Sequence, residues 1–368
     1  MDRRTVTALV FVTQKIDPRD PVLGFVPRLV TALAERVEVV TVIANEVAKR
    51  PPSFGVNVEL VSLRKERGAG RLARGLRYER LLVRAARDGT DALIAHMCPD
   101  YLNLAAPIGK AFRLPTILWF AHPARSRTLS IADRLADAVL TSLPGAYPLA
   151  SRKVHVIGQA TDVAALTPCP AVRSRRPLRV VAIGRTSPAK GFDVVIRSVA
   201  ACVTAGLDVV ARIVGPSVTP AEERHRGELE HLVSDLGLGE RVSIEPGVAP
   251  SEVRDVLCAS QVLVNAMVAG SGDKVVFEAA ALGRPVLVSN PAFRELLRDV
   301  PLELTFPEGD AATLARRLEA IAMAKAPTIR DVTESLRARV EAGHSVDHWA
   351  DAVVGIAEDL ARSKGRSP

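Results

Sequence analysis

The sequence predicts an α/β protein made of two Rossmann-like domains joined by a linker. The chain has 368 residues, more than one hydrophobic core usually organises. Short β-branched runs alternate with segments of helical periodicity, which is typical of parallel sheets covered by helices on both faces. The proline- and arginine-rich stretch LTPCPAVRSRRP, residues 166–177, interrupts this alternation, which then starts again.

The elements follow in chain order on either side of this linker. In the first domain, residues 1–165, we expect strands at 5–12, 37–43, 56–62, 91–96, 115–120, 138–141 and 153–157, with helices at 25–36, 71–87 and 101–112. In the second domain, residues 178–343, we expect strands at 178–183, 209–214, 242–244, 262–264, 285–288 and 302–305, with helices at 192–204, 221–236, 251–258, 274–282, 292–297 and 311–324. Residues 344–368 contain an amphipathic helix in which Trp349 is expected to pack in the core.

Composition narrows the class of protein. No apolar run is long enough to span a bilayer, and the N-terminal MDRRTVTALVFVTQ is more typical of a first strand than of a signal peptide. Cys98, Cys169, Cys202 and Cys258 have no paired spacing, so we expect reduced thiols in a cytoplasmic protein, with neither a disulfide framework nor a zinc site. No Asp-x-Asp motif occurs, so no metal is expected.

The net charge of +8 is concentrated in one segment. From Arg64 to Arg87 there are nine basic and two acidic residues, a sum of +7 (nine minus two). We favour a solvated helix whose leucines, among them Leu72 and Leu76, face the core of their domain. The alternative is a basic amphipathic helix in peripheral contact with an anionic membrane, at its inner face. Nucleic-acid binding is not indicated, since aromatic residues are few and no recognition motif is present.

Cationic residues follow the first strand of the second domain. Gly184 closes that strand, and Arg185 and Lys190 come before a helix that starts after Gly191. Ligands bind at the carboxyl ends of strands in sheets of this type. Because a helix N-terminus and two cations favour an anion, we expect a phosphate site there, shared by the cleft between the two domains.

A second glycine-rich loop follows a later strand of the same domain. Gly270, Ser271 and Gly272 would let backbone amides approach a ligand, and a helix starts near Asp273. The stretch is only a weak match to a dinucleotide fingerprint, because Val275 occupies the third glycine position.

The helix after this loop is apolar on nearly every face, yet it carries Glu278. A buried carboxylate without partners costs several kcal/mol, roughly. Hydroxyl pairs of a ribose or hexose would satisfy it. An internal ion pair with Lys274 or Arg284 would do so equally well, and position alone does not decide between them.

Taken together, these elements resemble the retaining glycosyltransferases of family 4, which have the two-domain GT-B fold. The resemblance is carried by GRTSPAKGFD, by LGLGERVSIEPGVAPSEVRDVLCASQVLVNA, by KVVFEAAALGRPVLVSNPAFRELL, and by TQKIDPRDPVLGFVPRLVTALAERVEVVTVIA near the N-terminus. It implies that residues 1–165 form the acceptor domain and 178–343 the donor domain. It also implies that the two domains face each other across a cleft and that the C-terminal helix crosses back to the first domain.

The resemblance also assigns roles to residues. Arg185 and Lys190 would hold the donor diphosphate, Glu278 the ribose, and His122 would lie near the transferred sugar. Gly24 would belong to the loop that approaches the diphosphate and the acceptor. The other expected donor-binding residues are Gly184, Gly270, Ser271, Gly272, Asp273, Lys274 and Val275.

The sequence departs from the family at the donor loop. Gly270 stands where the family has a first glutamate, and Ser271-Gly272-Asp273 replaces Gly-Phe-Gly. Asp273 or backbone amides would then take over the contacts to the donor hexose.

The implied activity is metal-independent transfer of a hexose, with retention, from a nucleoside-diphosphate sugar to a hydroxyl of a glycan, glycolipid or natural product. No cofactor is expected, and we favour a UDP-sugar over a GDP-sugar as the donor. Two alternatives stay open. One is a catalytically silent GT-B protein that binds a nucleotide sugar or supports a partner enzyme. The other is a sugar-nucleotide epimerase on the same fold.

Overall fold

The computed structural model describes residues 6–20, 22–170, 176–267 and 272–365. The chain divides into two compact units. The first unit comprises Met1–Ala160 together with Gly343–Pro368, and the second comprises Thr161–Ala342. The C-terminal segment therefore belongs to the first unit.

The first unit contains a parallel seven-stranded sheet. Its strands are β1 (Ala8–Ile16), β2 (Val39–Val47), β3 (Val58–Ser62), β4 (Ala92–His96), β5 (Thr116–Trp119), β6 (Ala138–Thr141) and β7 (Val154–Val156), in the order β3-β2-β1-β4-β5-β6-β7. Its helices are α1 (Val26–Ala34), α2 (Arg71–Arg87), α3 (Pro99–Phe112), α4 (Arg127–Leu135) and, at the end of the chain, α12 (Val346–Ser363).

Two apolar cores lie on the two faces of this sheet. One includes residues of α1 and α12, and the other includes residues of α2 and α3. Trp349 of α12 is fully buried and lies edge-on to Trp119, with ring centroids 5.8 Å apart. The expected packing role of Trp349 is confirmed, and α12 completes the core of the first unit.

The second unit contains a parallel five-stranded sheet. Its strands are β8 (Leu178–Ile183), β9 (Val209–Val214), β10 (Val242–Glu245), β11 (Val262–Asn265) and β12 (Val286–Val288), in the order β10-β9-β8-β11-β12. Its helices are α5 (Phe192–Thr204), α6 (Pro220–Asp235), α7 (Val253–Cys258), α8 (Lys274–Ala281), α9 (Arg294–Leu297), α10 (Ala311–Met323) and α11 (Ala326–His344).

Most predicted elements are present within a few residues of their expected ends, with three differences. The predicted strand at 302–305 contributes a single bridge, between Val288 and Thr305. Helices α4 and α11 were not predicted. Helix α11 is largely polar, and Val332, Leu336 and Val340 are the residues it buries, so its apolar stripe is too narrow to stand out in the sequence.

The orientation predicted for the basic helix α2 is wrong at its N-terminal end. Leu72 and Leu76 are 79% and 47% exposed. The residues of α2 that are buried are Tyr78, Leu82, Ala85 and Ala86. The face of α2 that contains these four residues packs against the core, and the two leucines lie on the surface among the arginines of the helix.

The expectation of four reduced cysteines is also wrong. Cys169 and Cys258 form a disulfide between positions 89 residues apart, whereas Cys98 and Cys202 are free and buried. Such a separation gives no signal in the sequence, because only the fold brings the end of α7 to the segment before β8. Within the linker predicted from composition, residues 166–170 lie in the second unit, and residues 171–175 lie outside the described residues.

Candidate active site

The turn after β8 holds Gly184, Arg185 and Lys190 at the carboxyl edge of the second sheet. A Cβ atom on Gly184 would lie 2.8 Å from Cε of Lys190. Only glycine therefore lets the lysine stem lie against the backbone here. This contact holds the partly buried ammonium of Lys190 beside the end of the strand.

The structure brings Lys190 to the N-terminus of α8. Its Nζ lies 2.5 Å from Oδ2 of Asp273, the residue at the N-cap position of that helix. The side-chain amide of Asn265 donates to the same oxygen at 3.0 Å, and Sδ of Met267 lies 3.7 Å from the ammonium. The loop after β8 and the loop before α8, both selected from the sequence, are thus joined by the ion pair between Lys190 and Asp273.

Arg185 has a carboxylate partner that the sequence analysis missed. Its Nη1 lies 3.2 Å from Oε1 of Glu222. The other oxygen of this buried carboxylate accepts the backbone N–H groups of Val218 and Thr219, at 2.8 and 3.1 Å. Thr219 and Glu222 form a capping box at the start of α6. The Thr-x-x-Glu spacing was the signal that could have located Glu222.

Glu278 lies in the middle of α8, and its side chain is 25% exposed. Burial raises the pKa of its carboxyl group above the ordinary value. The positive charge of Lys274 lowers this pKa, and the negative charge of Asp273 raises it further. The ammonium of Lys274 is 3.8 Å from Oε1. Arg284, the other partner considered, instead donates to the carbonyl oxygens of Cys258 and Pro170, at 2.9 and 3.1 Å. The carboxylate is thus only loosely paired.

Two of the predicted residues lie in the first unit. His122 follows β5 at the carboxyl edge of the first sheet and is exposed. Its Nδ1 accepts the backbone N–H of Ala124 at 3.1 Å, so the neutral ring carries its proton on Nε2. Gly24 lies between β1 and α1, and its N–H donates to the carbonyl of Asp20 at 2.9 Å.

A second histidine at this edge, His96, was not singled out from the sequence. It ends β4, is fully buried and stacks on Phe11 with ring centroids 5.5 Å apart. Its Nδ1 lies 3.2 Å from Oγ1 of Thr13, and its Nε2 has no hydrogen-bond partner among the described residues. Burial lowers its pKa to about 3, so the ring is neutral. A histidine that ends an otherwise apolar strand was the available signal.

The remaining predicted residues lie at the donor loop. Gly270 and Ser271 lie outside the described residues, whereas Gly272 is described and partly buried. The side chain of Val275 is buried inside α8, so its backbone is the part left to face a ligand. Where the chain is described, no three histidine, cysteine or acidic side chains are grouped so that they could hold a metal ion. No described helix has the length and apolar character required to cross a membrane.

Residues 177–323 match the family model described as "Glycosyl transferases group 1". This segment is similar to that family of glycosyltransferases. It contains β8–β12, the turn with Arg185 and Lys190, and all of α8. The resemblance predicted from the sequence motifs is confirmed for the second unit.

Curated relatives of the chain come from several bacteria. The chain is 28% identical over 179 residues to D-inositol 3-phosphate glycosyltransferase 1 of Catenulispora acidiphila, covering 45% of this chain and 42% of the relative. It is 28% identical over 197 residues to the putative colanic acid biosynthesis glycosyltransferase WcaL of Escherichia coli, covering 51% and 47%. The chain thus spans about half the length of the curated relatives it matches.

Solved structures match nearly the whole chain. Anabaena HepE in complex with UDP superposes with a TM-score of 0.73 at 16% identity, covering 96% of this chain and 100% of that one. Sucrose-phosphate synthase from Thermosynechococcus elongatus gives 0.71 at 18% identity, covering 97% and 100%. These likenesses confirm the predicted fold class, α/β with two Rossmann-like domains of the GT-B type.

Proposed function

We propose that the protein transfers a hexose from a nucleoside-diphosphate sugar to a hydroxyl acceptor, with retention of configuration and without a metal ion. The observation that carries this proposal is that Lys190 lies beside the N-terminus of α8, at the carboxyl edge of the five-stranded sheet. A lysine beside a helix N-terminus is suited to a phosphate group, and the segment around it is similar to a glycosyltransferase family.

The diphosphate would replace Asp273 as the partner of Lys190. In the structure, the carboxylate of Asp273 neutralises this ammonium. A diphosphate carries more negative charge than one carboxylate. Arg185, exposed and held by Glu222, would grip a phosphate oxygen through its free N–H groups. As the glycosidic bond breaks, charge grows on the leaving diphosphate, and these fixed cations stabilise it most in the transition state. They supply the positive charge that other enzymes take from a divalent ion.

The ribose would bond to Glu278. Burial disfavours the charged form of this carboxyl and so raises its pKa. Two ribose hydroxyls donate hydrogen bonds to a carboxylate through both oxygens, and so they would offset the cost of its burial. Asp273, released from Lys190, would be available to accept hydrogen bonds from hexose hydroxyls, and the backbone N–H groups of Gly272 and Lys274 would donate to hydroxyl oxygens.

His122 would contribute from the first unit. Because Nδ1 accepts the N–H of Ala124, Nε2 carries a proton and would donate a hydrogen bond to a hydroxyl of the transferred sugar. In the reaction, the glycosidic C–O bond breaks, the acceptor oxygen bonds to the same face of the anomeric carbon, and the departing phosphate takes the acceptor proton. No side-chain nucleophile is required. Gly24 would let the first loop approach the diphosphate and the acceptor.

We propose a UDP-sugar as the donor, on the support of a structural neighbour, Anabaena HepE, solved in complex with UDP. The test is a thermal-shift comparison of UDP-, GDP- and dTDP-sugars, followed by incubation of the radiolabelled donor with EDTA present. We expect the UDP-sugar to raise the melting temperature most, because a ligand that binds only the folded state stabilises it. Slow release of UDP and labelled hexose should follow, undiminished by the chelator.

The same experiment separates the alternatives. Binding of the donor with no turnover on any acceptor would identify a catalytically silent protein. An isomerised donor recovered from the mixture would identify an epimerase. Loss of turnover on adding EDTA would overturn the metal-independent mechanism, and inversion at the anomeric carbon, followed by NMR, would overturn retention.

The acceptor side of the proposal concerns α2 and the basic segment from Arg64 to Arg87. Leu72 and Leu76 are exposed on this helix beside Arg80 and Arg84, and a groove of about 530 Å³ runs between the helix and the turn before it. Exposed leucines among arginines are typical of helices that lie on anionic lipid. We therefore propose peripheral contact with an anionic membrane, which would present a lipid-linked acceptor.

Vesicle sedimentation tests this contact. The protein should pellet with vesicles that contain anionic phosphatidylglycerol, less so at high salt, because salt screens the arginines. The double variant Leu72→Ser, Leu76→Ser should pellet less at both salt concentrations, and Leu236→Ser, an exposed leucine of the second unit, should behave as the unmodified protein. Equal sedimentation of all three proteins would contradict the proposed contact.

A further inference from the structure

A cavity of about 650 Å³ opens in the second unit, away from the candidate active site. Its lining includes Leu178, the first residue of β8, and Gln261 and Pro285, which directly precede β11 and β12. Because the strands are parallel, their starts share one edge of the sheet. The cavity therefore lies at the amino edge, opposite the edge that carries Lys190. Its volume is within the range of sites for small ligands.

The interior of the cavity is aliphatic. Ile321 and Ala322 at the end of α10 and Ile329 near the start of α11 form part of its wall. The lining residues that the structure describes include no aromatic side chain, so a purine or another flat ring would find no stacking partner among them. An alkyl chain suits such a wall, since removing its methylene groups from water favours binding.

The polar part of the lining is cationic. Arg284, Arg330 and Arg337 line it with one carboxylate, Glu334, which leaves a sum of +2 (three minus one). The guanidinium groups of Arg284 and Arg337 are hydrogen-bonded to the backbone of the protein. Arg284 donates to the carbonyl of Cys258 at 2.9 Å, and Arg337 donates to the carbonyl of Leu166 at 2.8 Å.

Arg330 differs from these two arginines. Its side chain is 66% exposed, and its nearest carboxylate is that of the next residue, Asp331, at 3.9 Å. Such an exposed pair contributes little to stability. The guanidinium of Arg330 is therefore able to turn to an anionic group at the mouth of the cavity.

We propose that this cavity binds a single-chain aliphatic anion, with the alkyl chain against Ile321 and Ile329 and the head group on Arg330. The head group would be a carboxylate or a phosphate, since both accept two hydrogen bonds from a guanidinium. This site is separate from the donor site, and its test does not depend on transferase activity.

Pro168 and Cys169 form one side of the cavity. Cys169 is joined to Cys258 by the disulfide, and its N–H donates to the carbonyl of Leu282, after the end of α8, at 2.9 Å. This side of the cavity is therefore anchored, so little binding free energy is spent on ordering it.

Isothermal titration calorimetry with dodecanoate and dodecyl phosphate, both below their critical micelle concentrations, tests the proposal. We expect saturable one-to-one binding of at least one of them, and the tighter one identifies the head group. Dodecanol, which has no charge, should bind about tenfold more weakly, because a hydrogen bond to a charged group is lost. Inorganic phosphate and acetate, which have no chain, should show no measurable binding.

Two variants locate the site. Thr333→Trp places a ring in the cavity and should abolish binding. Arg330→Gln should weaken it about tenfold, while its matched control Arg298→Gln, a 63% exposed arginine that also pairs with a neighbouring carboxylate, should leave it unchanged.

If Thr333→Trp does not fold, the comparison of the two arginine variants decides. The proposal is overturned if neither amphiphile binds the unmodified protein, or if Arg330→Gln and Arg298→Gln bind alike. It is also overturned if binding is lost in Leu72→Ser, on the surface of α2, while Thr333→Trp retains it.

Discussion

Replacing Lys190 by methionine is the sharpest test of the phosphate site, because it removes the charge and keeps most of the unbranched side chain. An ammonium and a phosphate oxygen about 4 Å apart attract each other by about 4 kcal/mol at an effective dielectric constant of about 20. Part of this is offset, since the same ammonium already lies 2.5 Å from Asp273 in the donor-free protein. The net value of a hydrogen bond to a charged group is about 1.5–3 kcal/mol. UDP should therefore bind Lys190→Met about 10- to 150-fold more weakly.

The assay is calorimetric titration of UDP into the two proteins at equal ionic strength, followed by turnover of the UDP-sugar. The rate should fall further than the affinity, about 10²- to 10³-fold in kcat, because the lysine would stabilise charge that develops in the transition state. Lys325→Met, an exposed lysine of the same unit, is the matched control and should change neither quantity. If Lys190→Met binds UDP within a factor of two of the unmodified protein while remaining folded, the assignment of the cationic turn to phosphate is refuted.

Three further substitutions test other parts of the structure. Burial raises the pKa of Glu278 in the folded protein, so its ionisation costs stability as the pH rises above the ordinary value of 4.5. Glu278→Gln should therefore raise the melting temperature at pH 7 but not below about pH 4, while lowering kcat/KM about tenfold or more; a lower melting temperature at pH 7 would contradict this. Gly191 and Gly237 have nearly the same φ, 60° and 63°, but a Cβ on Gly191 would lie 2.3 Å from the carbonyl oxygen of Ala266, whereas one on Gly237 meets nothing. In urea denaturation, Gly191→Ala should therefore cost about 1–3 kcal/mol more than Gly237→Ala, and equal losses would refute the close contact. Cys258→Ser removes a cross-link between residues 89 apart and should lower the free energy of unfolding by about 2–4 kcal/mol; a dithiol reductant should destabilise the unmodified protein and leave this variant unaffected.

The sequence alone predicts the architecture because the alternation of strands and helices is local information. Each strand of the second sheet is a short β-branched run, such as Val209–Val214, and each crossover has a helical period that can be read without a partner. The carboxyl ends of parallel strands share one edge, so the sequence also indicates which loops should hold a ligand. That is why Arg185, Lys190 and the start of α8 could be chosen in advance.

Pairings between distant segments could not be predicted in this way. The carboxylate of Glu222 reaches Arg185, and that of Asp273 reaches Lys190, because the fold brings the start of α6 and the start of α8 to the turn after β8. The spacing of Thr219 and Glu222 permits a capping box, but nothing in it indicates that the other carboxylate oxygen lies beside an arginine. Burial of His96 was likewise decided by neighbours on other strands.

The sequence by itself determined the succession of strands and helices, the two-domain α/β class and the cationic turn after β8, because propensity, periodicity and glycine placement act over a few neighbouring residues. The tertiary structure decided which face of α2 is buried, which cysteines are joined, which carboxylate holds each cation, and where the aliphatic cavity lies. Those features depend on which segments, distant from each other in the sequence, are packed within a few ångströms of each other, and the free energy of that packing is a property of the whole fold.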